Sequence, residues 1–328
     1  MDKTRNANVN AKVFCDLDGV LLPLVSIKGF SGIDSGFFAE LAAGMRAGLG
    51  ASTLADALAI FSIGVKAQQF GSKTAGALIR EEVKVFAKYS AFLPPLEQMT
   101  PAQDYSAVFG LLNSIGKPAT IELLQKIGAG YSLVGGAQEF LAQFSKRLFV
   151  VSCSPSRLVE ALAKRCALPR SSVFATVLDE EQGRITGLTD ASKVVRTQRK
   201  AEIVGRLATG GAAIAIGDSA SDFEMLSLAS ANGLAIAFLP DEKLLQKVAG
   251  LENAVVVAKS DFELLARIVE SGVNGVAPEI EGGVYRACEC RGKMVEISSL
   301  VKVERAKQEK KYSGVAERLL EALVVGLV

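Results

Sequence analysis

Residues 12–19 read Lys-Val-Phe-Cys-Asp-Leu-Asp-Gly, a short apolar run followed by a turn with two acidic residues. The apolar part predicts a strand over Lys12–Cys15. Because side chains alternate along a strand, Asp16 and Asp18 can share one direction beyond its carboxyl end, which is the end where parallel α/β sheets bind ligands. Acidic residues also begin ordinary turns, and Gly19 can close one. Taken alone, the stretch fits a turn as well as a site.

The rest of the chain alternates apolar runs with helical patterns. Predicted strands are Leu148–Ser152, Val173–Leu178, Ala212–Ile216, Gly233–Ala237 and Val255–Ala258. Predicted helices are Gly136–Phe144, Pro155–Ala167, Lys200–Leu207, Phe223–Ala229, Asp241–Val248 and Asp261–Glu270. Continuous apolar strands between helices indicate a parallel sheet covered on both faces. The sequence therefore predicts a doubly wound α/β fold of the Rossmann-like kind.

Between the first strand and Gly135 the pattern is helical throughout, and this predicts an insertion. The expected α-helical insertion, a cap on the sheet domain, covers residues 23–134, and the α/β core covers residues 11–22 and 135–271. Residues 272–328 form an extension in which Tyr285–Glu296 predicts a short hairpin and Lys307–Val325 a helix. The extension can dock on the core, contact the cap or form a homodimer, and the cap is a second candidate for a dimer contact.

The composition excludes several kinds of catalytic and metal site. Histidine is absent, which excludes Ser-His-Asp triads, imidazole bases and His-ligated zinc. A metal would then be held by carboxylate oxygens, which suit a hard cation. The net charge of +2 and the absence of Trp argue against a nucleic-acid partner.

The same composition bears on where the protein works. The five cysteines are odd in number, and a reduced, cytoplasmic protein is the simplest interpretation. The most apolar helical stretch, Leu41–Val65, is interrupted by Arg46 and Asp56. It therefore lacks the clean apolar run that a membrane span needs, and no membrane partner is expected.

A second acidic motif, residues 217–222, reads Gly-Asp-Ser-Ala-Ser-Asp and follows the strand Ala212–Ile216. Its position places Asp218 at the carboxyl end of a strand, where it can face Asp16 across a metal ion. Mg²⁺ held by one or two carboxylates and a phosphate fits this set of ligands. Asp222 can instead cap the next helix.

Two further positions could bind a phosphate. Ser152 ends its strand, and its hydroxyl and the backbone N–H groups that follow can hold phosphate at a helix N-terminus. A plain N-cap is the alternative, and Ser154 before Pro155 fits that role. Lys200 opens a helix, and its ammonium beside Asp16 would offset crowded negative charge. Lys193 is a rival for this role, and a solvated surface lysine is the ordinary alternative for both.

The four motifs occur in the order DLDGV, VVSCS, RKAEIV and IGDSASD, and this set resembles the haloacid dehalogenase (HAD) superfamily. The stretches around the second and fourth motifs resemble its phosphoserine-phosphatase-like branch more narrowly. The likeness covers about residues 12–23 and 135–238. It implies a HAD core with a cap inserted after the first strand.

The resemblance also implies residue roles. Asp16 would be the nucleophile that takes the phosphoryl group, and Asp18 the general acid and base. Ser152 and Lys200 would bind the phosphoryl oxygens. Mg²⁺ would be held by Asp16, the Asp18 carbonyl and Asp218, and Asp222 would assist the metal or orient Lys200.

The expected function is a Mg²⁺-dependent phosphatase that hydrolyses a small phosphorylated metabolite through an aspartyl-phosphate. Residues 20–26 contain no acidic residue that could meet the amino group of phosphoserine, so a different substrate is expected. Two alternatives stay open. One is a phosphotransferase or mutase that uses the same intermediate, and the other is a non-catalytic metabolite-binding protein on the same fold.

Overall fold

The computed structural model describes residues 10–23, 120–186 and 190–325. Their main feature is a seven-stranded sheet in the order β3-β2-β1-β6-β7-β8-β9. The strands are β1 Lys12–Cys15, β2 Leu148–Pro155, β3 Val173–Thr176, β6 Ala213–Gly217, β7 Gly233–Phe238, β8 Ala254–Val257 and β9 Val284–Arg286. All neighbours are parallel except β8 and β9, which are antiparallel. A separate two-stranded sheet pairs β4 Glu180–Glu181 with β5 Arg184–Ile185.

Helices connect the strands. They are α1 Ile121–Gly130, α2 Ala137–Phe144, α3 Ser156–Arg165, α4 Thr197–Leu207, α5 Phe223–Asn232, α6 Glu242–Val248, α7 Phe262–Val273 and α8 Met294–Val325. Short 3₁₀ segments cover Arg170–Ser172, Ala191–Lys193, Ala220–Asp222 and Ala287–Lys293. Strand β1 is the third of the seven strands and lies between β2 and β6. Its Phe14 is fully buried and stacks on Phe149 of β2 with ring centroids 5.5 Å apart.

The strand order confirms the doubly wound α/β prediction. From β1 the chain goes to β2 and β3 on one side, and later to β6, β7 and β8 on the other. This is the Rossmann-type arrangement, whose ligand site lies where the order reverses, between the first strand and its neighbour on the other side. In this chain that point lies between β1 and β6, which pair from Lys12↔Ala213 to Cys15↔Ile216.

The residues after 271 complete the sheet, since β9 pairs with β8 from Val255↔Arg286 to Val257↔Val284. The predicted hairpin over Tyr285–Glu296 is wrong: β9 is followed by the 3₁₀ segment Ala287–Lys293 and then by α8. The dipeptide Arg291-Gly292 suggested a turn between two strands, but Ala287 and Cys290, three residues apart, are both buried, which is a helical spacing. The helix predicted over Lys307–Val325 is the second part of α8.

Most of the predicted cap, residues 24–119, lies outside the described residues. Its last described part is α1, which packs on α3 of the core so closely that a Cβ atom on Gly128 would lie 2.1 Å from the Leu158 carbonyl oxygen. The domain boundaries of the cap remain a prediction. In the described part of the chain, no helix combines the length and apolar character that a membrane crossing requires.

Candidate active site

The carboxyl ends of β1, β2 and β6 bring the predicted motifs together. Asp16 follows β1, and its backbone N–H donates to the Ile216 carbonyl of β6 over 2.9 Å. This bond extends the strand pairing by one residue and holds Asp16 beside Asp218, which follows β6. Both aspartates are 3% exposed, so their carboxylates need compensating charges.

Lys200 supplies the first compensating charge. It lies in the first turn of α4, its side chain is fully buried, and its Nζ is 2.8 Å from Asp16 Oδ2 and 2.6 Å from Asp222 Oδ1. The rival Lys193 pairs instead with Asp179 over 2.6 Å, and its side chain is 43% exposed. The structure therefore brings Lys200, and not Lys193, to Asp16.

Asp222 combines the two roles considered for it. Its Oδ2 accepts from the backbone N–H groups of Asp218 and Ser219 at 3.1 and 3.0 Å, which completes a capping box with Ser219. Its Oδ1 accepts from Lys200. Its Oδ2 also accepts from the Ser219 hydroxyl over 3.2 Å and so has three donors, whereas among the described residues each oxygen of Asp16 has one. The geometry therefore favours orientation of Lys200 over metal ligation for Asp222.

Asp218 is enclosed by Gly19 and by a residue of the C-terminal helix. Arg305 of α8 donates from Nη2 to Asp218 Oδ2 and to the Asp218 carbonyl oxygen, each over 3.2 Å. On another side, a Cβ atom on Gly19 would lie 2.2 Å from the same Oδ2. Only glycine at position 19 therefore leaves room for Asp218 in this position.

Two serines of β2 face Asp18. The Ser152 hydroxyl donates to Asp18 Oδ2 over 3.3 Å and the Ser154 hydroxyl over 2.9 Å. The Ser154 N–H in turn donates to Ser152 Oγ over 3.0 Å. Both serines are fully buried. Ser154, which the sequence suggested only as an N-cap, precedes Pro155 at the start of α3 and uses its hydroxyl at the site instead.

The charges of the cluster strongly perturb its titration. Burial raises the pKa of Asp16 well above its usual range, and the Asp222 carboxylate raises it further while Lys200 opposes this. Burial raises the pKa of Asp218 to about 7, with Arg305 opposing. Burial alone would lower the pKa of Lys200, but Asp16 and Asp222 outweigh it, and the net shift is upward. A bound cation would relieve this crowding of negative charge.

The carboxylates fit a divalent metal. One oxygen from each of Asp16, Asp218 and Asp222 lies within 4.8 Å of the others. The carboxylates of Asp16, Asp218 and Asp222 stand against the two cations Lys200 and Arg305, so one negative charge is uncompensated even without Asp18. A hard divalent ion with oxygen ligands matches both the charge and the donor type.

The close approach of Gly19 to Asp218 yields a matched test. Gly19→Ala should weaken divalent-cation binding at least about tenfold, as expected when a metal ligand loses its support. Gly183→Ala is the control because Gly183 has the same φ of +77° but meets nothing within 4 Å. Both variants carry the cost of an alanine at positive φ, about 1–2 kcal/mol. Their difference in cation affinity, measured by calorimetric titration, reports the contact with Asp218, and equal affinities would contradict this account.

Sequence reasoning located most of this cluster and missed two members. Asp16, Asp18, Ser152, Lys200, Asp218 and Asp222 all lie at one edge of the sheet. Ser154 and Arg305 were not predicted. A signal for Ser154 was present, since residues two apart on a strand share a face and Ser152 was already a candidate.

Comparisons with solved structures give distant likenesses. A phosphoserine phosphatase in its apo form shares 21% identity with a TM-score of 0.46, covering 79% of this chain and 98% of that one. A protein of unknown function from Bordetella pertussis Tohama I shares 17% with a TM-score of 0.42, covering 72% and 93%. A phosphoserine phosphohydrolase-like protein from Francisella tularensis subsp. tularensis SCHU S4 shares 16% with a TM-score of 0.41, covering 74% and 94%.

The family of this chain is assigned from its sequence. No curated protein matches this chain. The model of haloacid dehalogenase-like hydrolases matches residues 13–227, which is more than half of the chain and includes all four motifs around the acidic cluster. The prediction from the ordered motifs is thus confirmed at the level of the family, and the chain belongs to the haloacid dehalogenase-like hydrolases.

Proposed function

We propose that the protein is a Mg²⁺-dependent phosphatase that hydrolyses a small phosphorylated metabolite, with Asp16 as the nucleophile. One observation carries the proposal: a buried lysine, Lys200, joins Asp16 to Asp222, while Asp218 lies beside them at the switch point of the sheet. A carboxylate held by an ammonium group next to a second carboxylate suits attack on phosphorus, because the lysine can also contact the oxygens of the phosphoryl group.

In the first step, a carboxylate oxygen of Asp16 forms a bond to phosphorus, and the bond from phosphorus to the ester oxygen breaks. Asp18 gives its proton to the departing oxygen, so the product leaves as a neutral alcohol. Hydrogen bonds from Ser152 and Ser154 fix the direction of the Asp18 carboxyl group. The Asp16 carboxylate is itself held by the Leu17 N–H, which donates to Oδ1 over 2.8 Å.

In the second step, water attacks the aspartyl-phosphate. Asp18, now ionised, takes a proton from the water as its oxygen bonds to phosphorus, and the bond between phosphorus and Asp16 breaks. Inorganic phosphate leaves, and both aspartates return to their starting states. Lys200 remains charged throughout, because Asp222 Oδ1 accepts from it over 2.6 Å as well.

The proposed metal site consists of Asp16, Asp218 and the backbone carbonyl of Asp18. When bound, Mg²⁺ would neutralise the negative charge that Lys200 and Arg305 leave and would stabilise charge on the phosphoryl oxygens. Asp222 is assigned to Lys200 because its Oδ1 accepts from Lys200 and its Oδ2 already has three donors. A small metabolite is proposed because the net charge of +2 offers little attraction for nucleic acid.

The proposal predicts metal-dependent hydrolysis of a generic aryl phosphate. Purified full-length protein should release p-nitrophenol from p-nitrophenyl phosphate with Mg²⁺ present, and excess EDTA should lower the rate at least about 100-fold. Added Mg²⁺ should restore it. Circular dichroism with and without EDTA controls for loss of fold. Turnover at the same rate after complete metal removal would overturn the proposed mechanism.

Phosphotransfer shares the first step, so the acceptor needs its own test. In water labelled with ¹⁸O, hydrolysis incorporates one labelled oxygen into each phosphate released, because the water oxygen bonds to phosphorus. Mass spectrometry of the phosphate measures this directly. Transfer of the phosphoryl group to a second metabolite without labelled phosphate would favour a phosphotransferase or mutase instead.

A further inference from the structure

Helix α8 lies along the edge of the sheet that carries the site. Ser298 and Lys302 contact Glu242 of α6 over 3.1 and 2.5 Å, and Gln308 donates to the Ser260 hydroxyl. Near its described end, the Tyr312 hydroxyl accepts from the Gly135 N–H over 2.8 Å. The helix therefore spans from the loop after β7 to the residue where the core resumes after the predicted cap.

One face of α8 packs on the core. Its buried residues are Ile297, Val301, Gln308 and Tyr312, each 7% exposed or less. Residues on one face of a helix recur every three or four positions. Between Val301 and Gln308, residue 305 is the position that continues this spacing. That position holds an arginine and not an apolar residue. A charged side chain in the packing stripe needs a partner inside the fold.

The partners of Arg305 lie at the metal site. Its Nε donates to the Leu239 carbonyl over 2.8 Å, and Nη2 donates to the same carbonyl, to the Asp218 carbonyl and to Asp218 Oδ2. The Arg305 side chain is 21% exposed and that of Asp218 only 5%. The planar guanidinium thus bridges two consecutive strand ends by donating from two nitrogen atoms, Nε and Nη2, whereas a lysine has a single nitrogen to donate from.

Leu239 shows that this contact is built into the fold. It is buried, and its φ of +45° is unusual for a leucine, at a cost of about 1–2 kcal/mol. Its N–H is fixed by the Val257 carbonyl of β8 over 2.8 Å, while its own carbonyl accepts from Arg305. A strained residue of this kind persists where the surrounding structure holds it, and such residues cluster at functional sites.

We infer that Arg305 is a positioning residue that fixes the Asp218 carboxylate for a divalent cation, so that the C-terminal extension is a working part of the metal site. The inference rests on the proposed function. Lys200 forms ion pairs with Asp16 and Asp222 but makes no hydrogen bond to Asp218. Arg305 supplies the charge that Asp218 needs. It occupies Oδ2, and among the described residues no donor reaches Oδ1, which remains for the metal.

The test measures cation binding without turnover. Calorimetric titration of the metal-free, full-length protein with MgCl₂ should show that Arg305→Gln weakens Mg²⁺ binding about 10- to 100-fold, the range for residues that support a metal ligand. The Mg²⁺ affinity of Arg305→Lys should lie between those of Arg305→Gln and the wild type, since lysine keeps the charge but loses the bridge. Lys302→Gln is the control because Lys302 lies one turn away on α8, is 68% exposed and pairs with Glu242 instead of Asp218.

The outcomes separate this inference from the proposed enzyme activity. Mg²⁺ affinity that is unchanged or tighter in both Arg305 variants would overturn the positioning role, and tighter binding would show that the guanidinium competes with the cation. A wild-type protein that binds no Mg²⁺ would also overturn it. Arg305-dependent Mg²⁺ binding without any phosphatase activity would support the inference while refuting the proposed function. If Arg305→Gln does not fold, the lysine variant decides.

Discussion

Asp16→Asn is expected to lower kcat for p-nitrophenyl phosphate on the order of 10⁴-fold or more, as removal of a covalent nucleophile does. The amide is neutral and does not attack phosphorus. Its oxygen can still accept from the Leu17 N–H, as Asp16 Oδ1 does over 2.8 Å. The loss of activity should therefore come without loss of the fold. Steady-state kinetics with saturating Mg²⁺ measures the effect.

The stability of this variant gives a second readout. Burial and the neighbouring Asp222 carboxylate raise the pKa of Asp16, so the ionised group is unfavourable in the metal-free fold. A neutral asparagine removes that repulsion, and metal-free Asp16→Asn should melt no lower than the wild type at pH 8. Asp261→Asn, at the N-cap of α7 and remote from the site, controls for the change of residue type. Activity within tenfold of the wild type would contradict the assignment of Asp16.

Lys200→Met is expected to have the second large effect, this time on the fold as well as on activity. The methionine fills similar space but leaves Asp16 and Asp222 buried without their shared cation. Removal of one partner from a buried ion pair costs about 3–5 kcal/mol. Urea denaturation of the metal-free protein should show this loss. The matched control is Lys193→Met, whose ion pair with Asp179 is 43% exposed on the lysine side and should contribute little to stability because water screens it.

The pH dependence of the Lys200→Met deficit has a defined sign. The pKa of Asp16 is already raised in the fold, and loss of the lysine raises it further. A carboxyl group with a raised pKa in the folded state is tolerated at low pH, where it is protonated, and destabilises the fold as pH rises through that pKa. The deficit should thus be smaller at pH 5 than at pH 8. A deficit independent of pH would show that lost packing, and not unpaired charge, is the cause.

A double variant isolates the pair itself. Adding Asp222→Asn to Lys200→Met removes one of the two orphaned carboxylates, so it should recover part of the lost stability. The coupling energy from the four proteins reports the Lys200–Asp222 interaction, whose atoms lie 2.6 Å apart. No recovery in the double variant would place the loss on Asp16 alone.

Local pattern predicted most of the sheet because each of its buried strands is a continuous apolar run. The six predicted strands all appear, and the acids at their ends meet because parallel strands share one edge. Lys200 could be preferred over Lys193 from its position at the start of a helix, and the structure places it on Asp16. These features depend on residues close together in the sequence.

Contacts over long sequence distances could not be predicted in the same way. Arg305 meets Asp218 across 87 residues, and an arginine in a charged helix resembles any solvated one. Its only signal is its place in the stripe that includes Val301 and Gln308, which becomes informative once the helix is known to pack on the core. The hairpin predicted over Tyr285–Glu296 was wrong because a short segment around a turn fits two strands and a 3₁₀ helix equally well when only local sequence is considered.

The distance in sequence between Asp218 and Arg305 has a consequence during synthesis. A ribosome adds about 5–20 residues each second, so Arg305, which is 87 residues after Asp218, follows it by roughly 4–17 seconds. Once Asp222 has been added, the nascent chain contains every acid of the cluster and Lys200, but not the guanidinium. The strands that carry the acids can therefore pair before the Arg305 guanidinium exists. The acidic pocket is completed only after helix α8 has been translated.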